Sequence, residues 1–178
     1  MAPAFKEWQA IVGALVAGAQ SLILRKGGIA EGRGGFKARD GLFWLFPTGF
    51  HAQHEKTKPA AARWFPSGAP ATEITLTGFA NVHKHVFLDD WPRIQALDPH
   101  HLWTEATVRE RFDWAKPPGL HVFVVRVHQL RTPVRFSPTP EMAGCRSWID
   151  LPFAFADHPA DPVLNDASFA ARVKAIGL

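Results

Sequence analysis

The sequence predicts an α+β fold: a curved, mostly antiparallel sheet or open barrel with flanking helices. Three observations point there. The order of elements reads helix, strands, helices, strands, helix, with few long crossover helices. The strands are of two kinds, one alternating and one apolar on both faces, as in a sheet that is part exposed and part covered. Finally, 178 residues of which 47% are hydrophobic suffice for one packed core. A single domain over residues 1–178 follows.

In order along the chain, Phe5, Trp8, Ile11, Val12, Leu15 and Val16 recur every three or four residues, which predicts an amphipathic helix over 5–17. Gly18 stops it. Residues 21–25 read as a strand, followed by a loop with six glycines between 27 and 41. The apolar run 42–46 predicts a buried strand that Pro47 ends, since proline donates nothing to a sheet ladder. Residues 72–79 alternate Thr and Glu against Ile74 and Leu76, the period of a half-buried strand. Asp89 and Asp90 before Pro92 open a short helix, and Thr104 caps another that carries Val108 and Phe112. Residues 120–130 are the strongest strand, apolar on both faces from Val122 to Val125. A turn at 131–133 leads to a further strand at Val134 and Phe136, and 148–151 is another. Asn165 or Asp166 caps a last helix with Phe169, Val173 and Ile176, which Gly177 ends.

Composition excludes several classes. The lone cysteine, Cys145, rules out an internal disulfide and a cysteine-only metal site, and fits a reducing, cytoplasmic setting. Residues 10–19 are apolar and end in Ala17-Gly18-Ala19, like a signal-peptide cleavage site. Glu7 cancels Lys6, however, so the positive leader is missing and the segment reads as part of the domain. Ten apolar residues fall short of the roughly 20 that span a bilayer, so no membrane is expected. The net charge is +4, and the surplus sits in 25–63, with 8 basic against 3 acidic side chains. A localised basic patch points to an anionic partner.

Most of that patch lies in residues 24–59, LRKGGIAEGRGGFKARDGLFWLFPTGFHAQHEKTKP. The pattern LRKGGIxExxGxF followed by FxLFPTxFHxxxxxxKP resembles the bacterial domain-of-unknown-function family DUF1802. The opening FKEWQAIVGAL and the later GLHVFVVRVHQLRTPV resemble it too, so the likeness runs from Phe5 to Phe136. The resemblance gives kinship without an activity. Some family members are fused to a restriction-endonuclease-like domain of the Mrr type, which implies a recognition role in DNA restriction beside a nuclease partner. The leading helix, the glycine, the strand ending in Arg25 and the long strand VFVVRVHQL also resemble the ASCH and EVE modules of the PUA-like fold. Those are small open barrels that bind RNA or modified bases.

The candidate ligand-binding residues are Arg25, Lys26, Arg33, Lys37, His51, His54 and Lys56. A basic pair followed by glycines lets the backbone approach a phosphate while arginine forms a bidentate clamp. Neither GxxxxGK[ST] nor GxGxxG is present, so this is no nucleotide loop of a known kind. If these residues form one site, strands 21–25 and 42–46 pair and bring the glycine loop beside the His51 turn. The HxxHE at 51–55 is not the HExxH of zinc proteases, and His83 with His85 lacks further ligands, so no metal or other cofactor is expected. Neither GxSxG nor a carboxylate pair names a catalytic residue. Phe36, Phe50 and Trp64 flank the basic loops as candidate base-stacking rings. Three functions fit. The first is a module that binds DNA or RNA or reads a modified base. The second is a small hydrolase or nuclease with His51 or His54 as general base. The third is a protein-interaction adaptor.

Overall fold

The computed structural model describes residues 1–26, 41–49, 52–67, 72–144 and 146–178. In chain order the elements are β1 (Ala2–Trp8), α1 (Gln9–Val16), β2 (Leu22–Arg25), β3 (Leu42–Thr48), α2 (Gln53–Lys56), β4 (Ile74–Leu88), α3 (Trp91–Gln95), α4 (Glu105–Asp113), β5 (Leu120–Phe136), β6 (Trp148–Leu151), β7 (Ala160–Pro162) and α5 (Asp166–Ile176). The strands form one open seven-stranded sheet in the order β2-β5-β4-β3-β1-β6, with β7 also pairing β5. Only β1 and β3 run parallel; the other pairs are antiparallel. The expected α+β class and mostly antiparallel sheet are both present.

Two expectations are corrected. The first concerns residues 5–17, where Phe5 and Trp8 belong to β1 and helix begins only at Gln9. β1 lies between β3 and β6 and is buried on both faces, so it lacks the alternation that marks a strand and its apolar spacing imitates a helix. Helix α1 has no side-chain cap at Trp8; instead the buried Gln53 side chain accepts from the Ala10 N–H at 3.0 Å. The second concerns pairing. Strands 22–25 and 42–48 do not pair with each other: β2 pairs β5, while β3 pairs β1 and β4. β5, apolar on both faces from Val122 to Val125, offers β2 an apolar neighbour along its pairing register.

β5 also runs through the expected turn. Residues 130–133 stand opposite Thr77 alone, so the turn residues form an irregularity in a continuous strand, and Leu130 pairs Ala160 of β7. The predicted caps hold. Thr104 Oγ1 accepts from Thr107 N and Asn165 Oδ1 accepts from Ser168 N, while Gly18 follows α1 at φ +70°.

The main core lies between the sheet and the helices. It joins Phe5, Leu22, Leu24, Phe43, Leu45 and Val122–Val125 to Ile11 and Leu15 of α1 and Val108 and Phe112 of α4. A smaller core on the other face collects Ala4, Trp44, Phe46, Leu76, Leu130 and Leu151. There Trp44 is fully buried, and its Nε1 donates to the Phe153 carbonyl at 3.1 Å. Among the described residues no helix is long and apolar enough to cross a membrane.

Candidate functional site

Side chains alternate across a strand, so Glu7 of β1 points to the same side as Phe5, into the main core. Glu7 is 1% exposed. A buried carboxylate is costly unless its oxygens are partnered. Glu7 Oε1 accepts from the Trp8 N–H at 2.8 Å; Oε2 is buried with no partner among the described residues. Arg25, the last residue of β2, lies 5.0 Å from the Phe5 ring centre. Its Nη2 donates to the Lys6 carbonyl at 3.0 Å and reaches Ser147 Oγ at 3.5 Å, while its Nε is buried and unpartnered among the described residues.

The third charge comes from α4. The Arg111 guanidinium lies 4.7 Å over Trp8 and 4.9 Å over Trp103, and its Nη1 donates to the Leu24 carbonyl at 3.2 Å. Burial lowers its pKa to about 10, Arg25 adds to the lowering and Glu7 opposes it, so it stays cationic at neutral pH. Trp103 is fully buried, and its Nε1 also lacks a partner among the described residues. Glu7, Arg25 and Arg111 therefore meet where β1, β2 and α4 converge, between indole walls, with one acceptor and two donors unmet among the described residues.

Of the residues singled out in the sequence, the structure brings Arg25 into this cluster. Lys26 and Lys56 instead bracket α4. Lys26 Nζ donates to the carbonyls of Phe112 and Pro117 at 3.2 and 2.6 Å, and Lys56 pairs with Glu110. The Lys56 carbonyl also accepts from Thr104 N and Thr107 Oγ1 at the start of the same helix. Both lysines thus fix the helix that presents Arg111. His54 is exposed and packs its ring against Phe65, 3.9 Å between centres. Trp64 is partly covered and sits against Gly13 of α1, where a Cβ would come within 2.7 Å of the indole. Arg33, Lys37, His51, Phe36, Phe50 and Cys145 lie outside the described residues. His83 and His85 have separate neighbours, Phe169 for the one and His121 with Phe123 for the other. Among the described residues no three His, Cys, Asp or Glu side chains gather as metal ligands.

Sequence reasoning missed Glu7, Arg111 and Trp103. A signal for Glu7 was present: it is the one acid within FKEWQAIVGAL, in a stretch otherwise read as core. Arg111 gave none, because RERFD reads as the solvated face of a short helix. Chemically, a dry carboxylate in the same neighbourhood as two arginines and a buried indole N–H offers both acceptors and donors to a planar ligand. The flat faces of Trp8 and Trp103 are already used for cation–π contact.

The family model described as domain of unknown function DUF1802 matches residues 4–175. No curated protein matches the chain. Among solved structures, the ASCH protein of Zymomonas mobilis is 15% identical with a TM-score of 0.48, over 78% of this chain and 88% of that one. Two point mutants of the Zymomonas mobilis ASCH protein match at 17% and 18% identity with TM-scores of 0.49 and 0.47, each over 74% of this chain and over 72% and 73% of theirs.

Proposed function

The chain belongs to the DUF1802 family, and from that premise we propose that it is a nucleic-acid-binding module whose Glu7–Arg25–Arg111 cluster reads a nucleobase or modified base. The observation that carries the reading is the set of buried polar atoms left open at one junction, Glu7 Oε2, Arg25 Nε and Trp103 Nε1. Buried polar groups in folded proteins are almost always partnered, so a cluster of open ones has the character of a ligand site. A nucleobase edge carries donors and acceptors together. Carboxylates accept from exocyclic amines and arginines donate to ring nitrogens and carbonyls. The basic surplus of residues 25–63, with Arg33, Lys37, His51 and His54 among them, supplies the phosphate attraction that positions the strand. Lys26 and Lys56 serve this site by holding α4.

The test is a fluorescence titration against single- and double-stranded DNA and RNA oligomers, with modified and unmodified bases, over a salt series. With about four phosphate contacts the log–log salt slope is about −3 to −4. Glu7→Gln should weaken binding about tenfold or more while leaving that slope in place, because it removes a base contact and no phosphate contact. Absence of binding at low salt, or full affinity in Glu7→Gln, would sink the reading.

A further inference from the structure

Three features remain outside that cluster. One is an open groove of about 660 Å³ between β4, β5 and α5, where Arg126 already pairs Asp166 and lies over Phe169. Another is the buried His101, which is enclosed rather than presented. The third is a patch of exposed rings, and it reaches furthest. Apart from Met1, the exposed large apolar side chains among the described residues are Trp114, at 64%, and Phe87, at 44%. They stand on either side of one connection. Trp114 follows α4, and the Phe87 ring covers Gly119 at the start of β5 so closely that a Cβ there would come within 2.5 Å of it. Gly119 adopts φ +139° and has no side chain to lift the ring away.

Phe87 also starts a ladder of rings on one face of β4 and β5. Its ring lies 5.0 Å from His121, its directly opposed partner; His121 lies 5.1 Å from His85, and His85 lies flat on Phe123 at 4.2 Å and 2°. His85 Nε2 and His121 Nδ1 share a hydrogen bond of 2.9 Å, which ties the two imidazoles together at an angle of 28°. The next position in this row, across the β5–β2 pairing, is Arg25. The row Phe87–His121–Arg25 therefore runs directly from the exposed rings to the cluster described above. Cationic groups flank it: Lys26 is close enough to act electrostatically on His121, and Lys116 on Lys26. The nearest acid acting on Lys26 is Asp113, which is bound to Arg109 at 2.6 Å.

We infer that Trp114, Phe87, His121 and His85 form a stacking track for a single-stranded nucleic acid that leads to Arg25, with Lys116 on its phosphates. The inference deepens the proposed function and rests on it for the identity of the ligand. Flat exposed rings with cations beside them hold successive bases without regard to sequence, because every base has a π face. A protein partner would meet a patch broken by two imidazoles and edged by lysines, whereas a single strand suits exposed rings and positive charge together.

The experiment compares a labelled pyrimidine oligomer of roughly 12 nucleotides with a dinucleotide of the same base. Phe87→Ala with Trp114→Ala should weaken the oligomer about tenfold or more and leave the dinucleotide unchanged. Lys116→Ala should reduce the salt slope by about 1. If the alanine variants do not fold, Phe87→Leu and Trp114→Leu keep apolar bulk and remove the flat face. Unchanged oligomer affinity in the double variant overturns the track, as does a wild-type protein that holds the oligomer no more tightly than the dinucleotide. Loss in the double variant with full affinity in Glu7→Gln keeps the track and removes the base-reading cluster. A wild-type protein that binds no nucleic acid at all overturns both.

Discussion

Arg25 Nη2 donates to the Lys6 carbonyl at 3.0 Å, tying the end of β2 to β1 across the open side of the sheet. That carbonyl belongs to the peptide that carries Glu7, so one hydrogen bond sets the spacing between a cation and a carboxylate from strands four places apart in the sheet.

Arg25→Lys keeps the charge and removes the planar fork. A lysine cannot lie over Phe5 while reaching both the Lys6 carbonyl and Ser147. We expect a loss of about 1–2 kcal/mol in urea unfolding and a drop in nucleic-acid affinity at unchanged salt slope. Wild-type stability in the variant would show that the bridge holds nothing in place.

Glu7→Gln separates function from folding. The amide keeps an oxygen for the Trp8 N–H and the volume of the side chain, and it removes a buried charge that is only partly compensated. Thermal unfolding should shift by less than about 1 kcal/mol, in either direction, while binding falls by an order of magnitude. A loss of several kcal/mol would mark Glu7 as a structural partner of Arg111 and no more.

How far the sequence could be read depended on whether a residue's surroundings are local. β5 was legible because eleven residues in a row declared it, and the caps at Thr104 and Asn165 were legible because a cap is a local hydrogen bond. β1 was misread because a strand covered on both sides has no period of its own. Arg25, which the structure sets beside Phe5 and the Lys6 carbonyl, was singled out through the motif around it. Glu7, Arg111 and Trp103 were not, since they come from three separate elements and only the pairing of β2 with β5, together with the seating of α4, brings them to one place.

Gln20 is fully buried, and both ends of its amide are used: Nε2 donates to the Leu22 carbonyl at 2.7 Å and Oε1 accepts from the Leu102 N–H at 2.9 Å. Gln20→Leu fills the same space and orphans a buried donor and a buried acceptor. The expected cost is about 2–4 kcal/mol, read from the denaturant midpoint, because each unmet group costs about 1–3 kcal/mol. A variant as stable as the wild type would show that the chain relaxes to partner both groups again.

Burial lowers the pKa of His101 from 6.5 to about 4, with Lys58 adding to the lowering. Above about pH 6.5 neither the folded nor the unfolded chain holds the proton. As the pH falls toward 4, the unfolded chain takes it up and the folded chain does not, so stability is lost on acidification, by about 3 kcal/mol in all. His85, His121 and His128 are lowered too, each chiefly by burial, and act with the same sign. Urea titrations at pH 7.5 and 5 should show the fall, and His101→Phe should flatten much of it. An equal fall in that variant would assign the acid sensitivity elsewhere.

The contacts that back the cluster join residues far apart in the chain. Phe5 packs on Trp148, Arg25 reaches Ser147, and Lys6 donates to the Met142 and Gly144 carbonyls. On the ribosome, then, β1 emerges early and waits for β6, and the nascent chain carries Glu7, Arg25 and Arg111 long before it holds them together. A stop codon placed just after residue 141 would leave every charged member of the cluster encoded and remove the Met142, Gly144, Ser147 and Trp148 contacts that back it.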